Sequence, residues 1–181
     1  MATVQLKPID QKEMEIMIQG VTPLIQHKWS EKALREMREK QSGRKTKTRE
    51  PKNPQKEAEA ATYFTKDGRY GVPLLAIKAA IIGAAHKDIG IEKTLVRKSL
   101  FIKDELGDGI LPMDCDEPVI REDCVRVGSG SADLRYRPQF NRWAVKLRIV
   151  FDAENLRPDD IVNLINRAGF GVGIGEWRPE K

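Results

Sequence analysis

Side chains able to do proton or metal chemistry are few in this chain, and its cations and glycines far outnumber them. The histidines His27 and His86 stand apart, and the cysteines Cys115 and Cys124 are separated by eight residues. A Cys-x8-Cys pair without clustered histidines fits neither a zinc site nor a disulfide scaffold, so both read as reduced structural thiols. No Walker loop, Ser/His/Asp set or metal cluster is present, and the residues imply no metal and no cofactor. His27 is the one candidate general base, with Lys28 beside it to stabilise charge. His86 reads as a helix-end or surface residue.

The remaining chemistry is that of recognition. Glycine falls at every second residue from Gly169 to Gly175, with Phe170, Val172 and Ile174 between. Read as a strand, this gives one apolar face and one bare face. Glycines inside a strand mark a bulge or a close approach by another backbone or ligand. The pattern suits a surface on which a polymer backbone lies, and it also suits a tight loop closing the fold. A second stretch, 133–151, interleaves cations and aromatics (Arg135, Tyr136, Arg137, Phe140, Arg142) ahead of Trp143–Phe151. Those residue types pair with phosphates and stack on bases, and Lys146 and Arg148 also suit the polar outer face of a sheet. Between residues 28 and 56 lies a third group rich in Lys and Arg, including Lys45, Lys47 and Arg49. After Ser42-Gly43 it has no apolar periodicity, which suits either a solvated loop or an arm that orders on nucleic acid or a neighbouring subunit.

Elements must position these groups. Met14, Ile16 and Ile18 alternate with Glu15, Met17 and Gln19, predicting a first strand over 13–20. Ser30 caps a short helix, and Glu57–Phe64 reads as helical. Pro73 opens a helix over 73–87 with Leu74, Ile77 and Ile81 at helical spacing and a small-residue side at Ala76, Ala80, Gly83 and Ala84. Strands are predicted at Ser99–Lys103, across Pro118–Val127 and at Trp143–Phe151. Pro158, with Asp159 and Asp160 in the first turn, starts a helix over 158–168 that Gly169 stops, before a last strand at 170–177. The order is β-α-β…β-α-β, an α+β chain on a ferredoxin-like or RRM-like plan with helices on one face of an antiparallel sheet. The expectation is one domain over 1–181, a basic insertion at about 28–66 and an extra β-hairpin at about 110–132.

Two stretches carry a resemblance. Val72-Pro73-Leu74-Leu75-Ala76-Ile77-Lys78-Ala79-Ala80 and Gly169-Phe170-Gly171-Val172-Gly173-Ile174-Gly175 resemble the RAMP superfamily of CRISPR-associated proteins, and most of all the backbone subunits of effector complexes. The resemblance spans roughly 13–27, 70–88 and 140–178 and leaves out 28–66. It implies that single-stranded RNA lies on the glycine loop, the start of the 73–87 helix and the sheet. Gly171, Gly173 and Gly175 would admit the backbone, while Lys78, Lys146, Arg148 and Arg178 would neutralise phosphates and Trp143 or Phe140 would stack. It further implies subunits repeating head-to-tail, with or without other complex subunits. Some relatives cut RNA without metal, which would assign His27 to catalysis.

Composition agrees with a polyanionic partner. The 181 residues carry a formal net charge of +5, and 33% are charged. The sequence pI is about 9.2, and a basic surface gains affinity for phosphate backbones through counterion release. No membrane-length apolar run and no secretory h-region occur, predicting a cytoplasmic protein, in host cytoplasm if virus-encoded. The expected function is non-catalytic binding of single-stranded RNA or DNA by a repeating subunit. The alternatives are a metal-independent endoribonuclease using His27 and a protein-interaction module using the basic insertion.

Overall fold

The structure, a computed structural model, describes residues 6–29, 31–43, 51–86, 89–127 and 131–180. It is α+β with antiparallel sheets. The axis is β8 (Trp143–Asp152), in which Val145, Leu147, Ile149 and Phe151 are all buried and Lys146 and Arg148 face out. Along one edge lies β1 (Gln11–Gln19), antiparallel, with Ile16 opposite Leu147 and Glu15 opposite Arg148. The other edge is shared. There β5 (Ile110–Cys115) meets the first part of β8 and β4 (Leu100–Ile102) meets its last part, and β3 (Gly71–Pro73) pairs outside β5. β2 (Leu24–Ile25), β7 (Ser131–Phe140) and β6 (Val119–Val127) form a second, three-stranded sheet.

Apolar spacing explains the helices. In α3 (Leu74–Ala84), Ile77, Ala80 and Ile81 are buried, and in α5 (Pro158–Arg167) Ile161 and Leu164 are. These side chains join the inner side of β8 in one core. Pro158 occupies the first helical position, where its missing N–H costs nothing. The Asp160 carboxylate accepts from the Arg157 backbone N–H at 3.1 Å and from its guanidinium at 3.2 Å. The predicted 28–66 insertion contains α1 (Glu31–Gln41) and α2 (Pro54–Ala60). The latter starts earlier than the expected helix at 57, because the Asn53 side chain caps it by accepting from Lys56 N at 3.1 Å. A further helix, α4 (Lys93–Ser99), stands just before β4. Its two turns are too short to show a period.

Two larger features also differ from expectation. The hairpin arm comprises β6 and β7, over 119–140 and not 110–132, because β5 belongs to the main sheet. The long ribbon breaks where Pro118 cannot donate and where Asn141-Arg142 turns the chain, leaving Asp116 N bonded to Arg142 O at 3.3 Å. The last strand predicted at 170–177 does not form, and no described strand pairs with the outer edge of β1. None of the described helices is long and apolar enough to cross a membrane.

Candidate functional site

The glycine run does not leave the helix at Gly169. Instead α5 continues through one π-helical turn, Ala168–Val172, closed by Gly173 N donating to Ala168 O at 2.8 Å. Such turns are rare and recur at functional sites. Ala168 and Val172 point inward. Val172 is seated on Gly83, where an added Cβ would lie 3.3 Å from its Cγ1. Phe170 points outward, 90% exposed, and a Cβ on Gly169 or Gly171 would meet nothing within 4 Å. The next two glycines serve the fold. Gly173 (φ +68) and Gly175 (φ +79) are left-handed, and a Cβ would meet Pro179 Cδ at 2.6 Å or Ile25 O at 2.5 Å. The approach expected there for a polymer backbone is occupied by the protein's own chain, and only Gly171 of the three faces open space.

Beyond the turn, residues 173–179 run over β2 as a strap. Glu176 N donates to Ile25 O at 2.9 Å. The adjoining Gln26 is buried and ties this corner to the rest, donating to Gly71 O at 2.8 Å and accepting from Tyr63 N at 2.9 Å. The strap lies against one face of the ribbon, where the register sets Arg121 opposite Arg137 and Asp123 opposite Arg135. Like charges opposite one another repel, and Asp123 between them resolves this. Its carboxylate, 5% exposed, accepts from Arg121 Nε at 2.8 Å, from Arg137 Nη1 at 2.9 Å and from Trp177 Nε1 at 3.3 Å. Burial pushes the Asp123 carboxyl up, but the hydrogen bonds from Arg121, Arg137 and Trp177 outweigh it and hold the group below the usual carboxylate range.

Predicted phosphate ligands are thereby placed. Arg137 is 3% exposed and its guanidinium serves Asp123, so it is not a surface ligand. Its Nε and that of half-buried Arg178 have no hydrogen-bond partner among the described residues. Arg135 lies 3.4 Å from His27 Nε2 and 3.7 Å from the Asp133 carboxylate. On the outer sheet face, Glu15 accepts from Lys146 and from Arg148, each at 2.7 Å, and Arg148 also pairs with Glu105. The Lys146 hydrogen bond foremost holds the Glu15 carboxyl below its ordinary value. The Lys78 ammonium stands 4.3 Å above the centroid of the Phe101 ring. Lys45, Lys47 and Arg49 lie outside the described residues.

The two aromatics expected to stack are both engaged by the fold. Phe140 is fully buried, and Trp143 packs over Gly20 and donates to Thr22 O at 3.0 Å. The most exposed aromatic among the described residues is Phe170, which the period-two reading placed on an apolar strand face; its signal is glycine on both sides. Asp123, Glu176 and Trp177 were also missed. Arg121-x-Asp123 against Arg135-x-Arg137 is a cross-strand charge pattern, legible only once the hairpin register is known.

His27 is hemmed in by cations. Its Nδ1 lies 3.4 Å from Arg137 Nη2 and 3.7 Å from Glu176 Oε1. A neutral imidazole accepts through only one nitrogen, and here a guanidinium faces each of them, which suits fastening the strap. Of the cysteines, both free, Cys115 has its thiol pushed up to about 11 by burial and then by Asp114, Glu117 and Asp116. Among the described residues no group of three or more His, Cys, Asp or Glu is placed to hold a metal ion. Compared with protein-family models, curated proteins and solved structures, the chain matches none.

Proposed function

We propose that the protein binds single-stranded nucleic acid, RNA by preference, without catalysis and as a repeating subunit along the strand. The observation that carries this reading is Phe170, an aromatic ring raised on a π-helical turn between two glycines that leave the space beside it open. A side chain so exposed contributes little to the core, while bases stack on such rings irrespective of sequence. Arg167, exposed in the last turn of α5, and the net charge of +5 supply attraction for phosphates. The order β1, α3, β4/β5, β8, α5 supports a ferredoxin-like plan without its last strand. Head-to-tail repetition needs two different surfaces. Exposed apolar side chains stand on two faces: Met17 and Phe101 on the outer sheet face, Leu75 and Phe170 on the helical side.

The test is a titration with RNA and DNA ladders of increasing length, read by particle mass. Mass should rise in steps with strand length, and affinity should fall steeply with salt. Phe170→Ala should lower affinity by roughly 5- to 150-fold, the equivalent of about 1–3 kcal/mol per stacked base, with no change in Tm. Length-independent mass would remove the filament, and undiminished affinity in the variant would remove Phe170 from the interface.

A further inference from the structure

A groove of about 370 Å³ opens between the 22–25 segment, the ribbon and the strap, lined by Thr22, Ile25, Arg121, Gln139, Glu176 and Trp177 among others. It lies in the region of the chain where the backbone is least relaxed. Trp177 has φ +55, the one described non-glycine residue with a positive φ, and is still 59% exposed. For a bulky side chain that conformation is strained, and such strain concentrates at functional sites. Burial does not repay it. The indole is nevertheless fixed in direction, because Nε1 donates to the buried Asp123 that Arg121 and Arg137 hold in turn.

The groove's other groups are those that read the edge of a planar heterocycle. Arg121 Nη1 donates to Gln139 Oε1 at 3.2 Å and Gln139 Nε2 to Asn141 Oδ1 at 2.8 Å, so the amide is oriented. The Glu176 carboxylate, 3.7 Å from His27 Nδ1 and 3.8 Å from Arg137 Nη2, is held at the groove's edge with lone pairs left to accept, and Pro23, Ile25 and Pro179 supply apolar contact. A stacking ring, an oriented amide and a carboxylate are the groups that bind a nucleobase, and the space lies at the small end of the range of about 300–1,000 Å³ for small-molecule sites.

We propose that this groove is a base-binding subsite, in which one nucleotide stacks on Trp177 and is read by Gln139 and Glu176. The proposal rests on the strand-binding reading for the identity of its ligand, and it concerns a place separate from Phe170 in the chain's order and contacts.

Nucleoside monophosphates titrated into the full chain test it, with the indole N–H resonances followed by heteronuclear NMR. The Trp177 signal is identified by its loss in Trp177→Gly, a change that suits the left-handed backbone and keeps the strap's Glu176 N–Ile25 O bond and both arginines on Asp123. That signal should shift most, with saturable, millimolar affinity, while that of Trp29 stays still; Trp143, bonded to Thr22 at the groove's rim, should move less. Ribose phosphate, which lacks the base, should move nothing. Gln139→Ala should weaken the response about fivefold to tenfold, as loss of an edge hydrogen bond does. An unmoved Trp177 signal overturns the proposal, and so does an equal response to ribose phosphate. If strands bind while Trp177 stays unmoved, the subsite falls and the strand-binding reading stands. If monophosphates shift Trp177 but no strand binds, the reverse holds.

Discussion

At Gly175 the backbone is left-handed and an added Cβ would meet Ile25 O at 2.5 Å, whereas four residues earlier Gly171 has no atom within 4 Å of the same position. Gly175→Ala should therefore cost about 1–3 kcal/mol through strain and the clash with a backbone oxygen. Gly171→Ala, in a right-handed turn, should be neutral or stabilising by about 0.4–1 kcal/mol through the unfolded chain. Urea denaturation of both variants decides this, and an equal loss in the two would mean that Gly171 is also pressed against the fold. The sequence could not separate these glycines. A period of two describes a strand, but it equally describes inward and outward residues around a wide turn. What selected the turn was Val172 meeting Gly83 on another helix, a contact between residues far apart in the chain.

Among the elements, the ribbon and the strap stand or fall together through Asp123. Because its carboxyl is held below the ordinary range, its contribution to stability is fully present above the unfolded value of about 3.9 and is lost as pH falls through the depressed folded value. Stability should thus be level from neutral pH to about 5 as far as this group decides it, and should drop only in stronger acid. Arg137→Met should cost about 3 kcal/mol, since it leaves a buried charge with one guanidinium fewer. It should also move the acid limb to higher pH, because the carboxyl loses a partner that keeps it ionised. Urea titrations of both proteins across pH check the two effects, and an acid limb unmoved by the variant would show that Asp123 does not depend on Arg137. At this scale much was readable. β1 and β8 alternate cleanly, and α5 carries its proline and acids where a helix start needs them. The misplacement of Arg135 and Arg137 has a definite cause. Strand parity says that a cation faces outward, but not that a carboxylate from the paired strand and a terminal strap will cover it.

For the whole molecule, the α+β class followed from the order of periods along the chain, while the missing last strand did not. The ion pairs of the outer sheet face bear on how the chain meets a polyanion. Glu15 shares Lys146 and Arg148, and Glu13 holds Lys103 at 2.6 Å, so that face is close to neutral in spite of its cations. That face therefore offers a polyanion little net charge, and the contact proposed above falls on the helical side, where Arg167 and Phe170 are exposed.

The pairing of Ile16 with Leu147 has a consequence for how the protein comes to be folded. β1 ends at Gln19, but its one described partner strand does not begin until Trp143. Closing so long a loop is entropically slow, whereas β6 and β7 are neighbours in sequence, their register ending where Val127 pairs with Ser131. The ribbon should form early and β1 should dock last. Pulse-labelled hydrogen exchange during refolding would show ribbon amides protected first, and simultaneous protection of β1 would refute that order. While it waits, β1 is an unpaired strand with a stripe of Met14, Ile16 and Ile18. Glu13 and Glu15, which alternate with that stripe, are the gatekeeping charges that keep such a strand from adding to another. The carboxylates that neutralise the finished sheet protect the unfinished one.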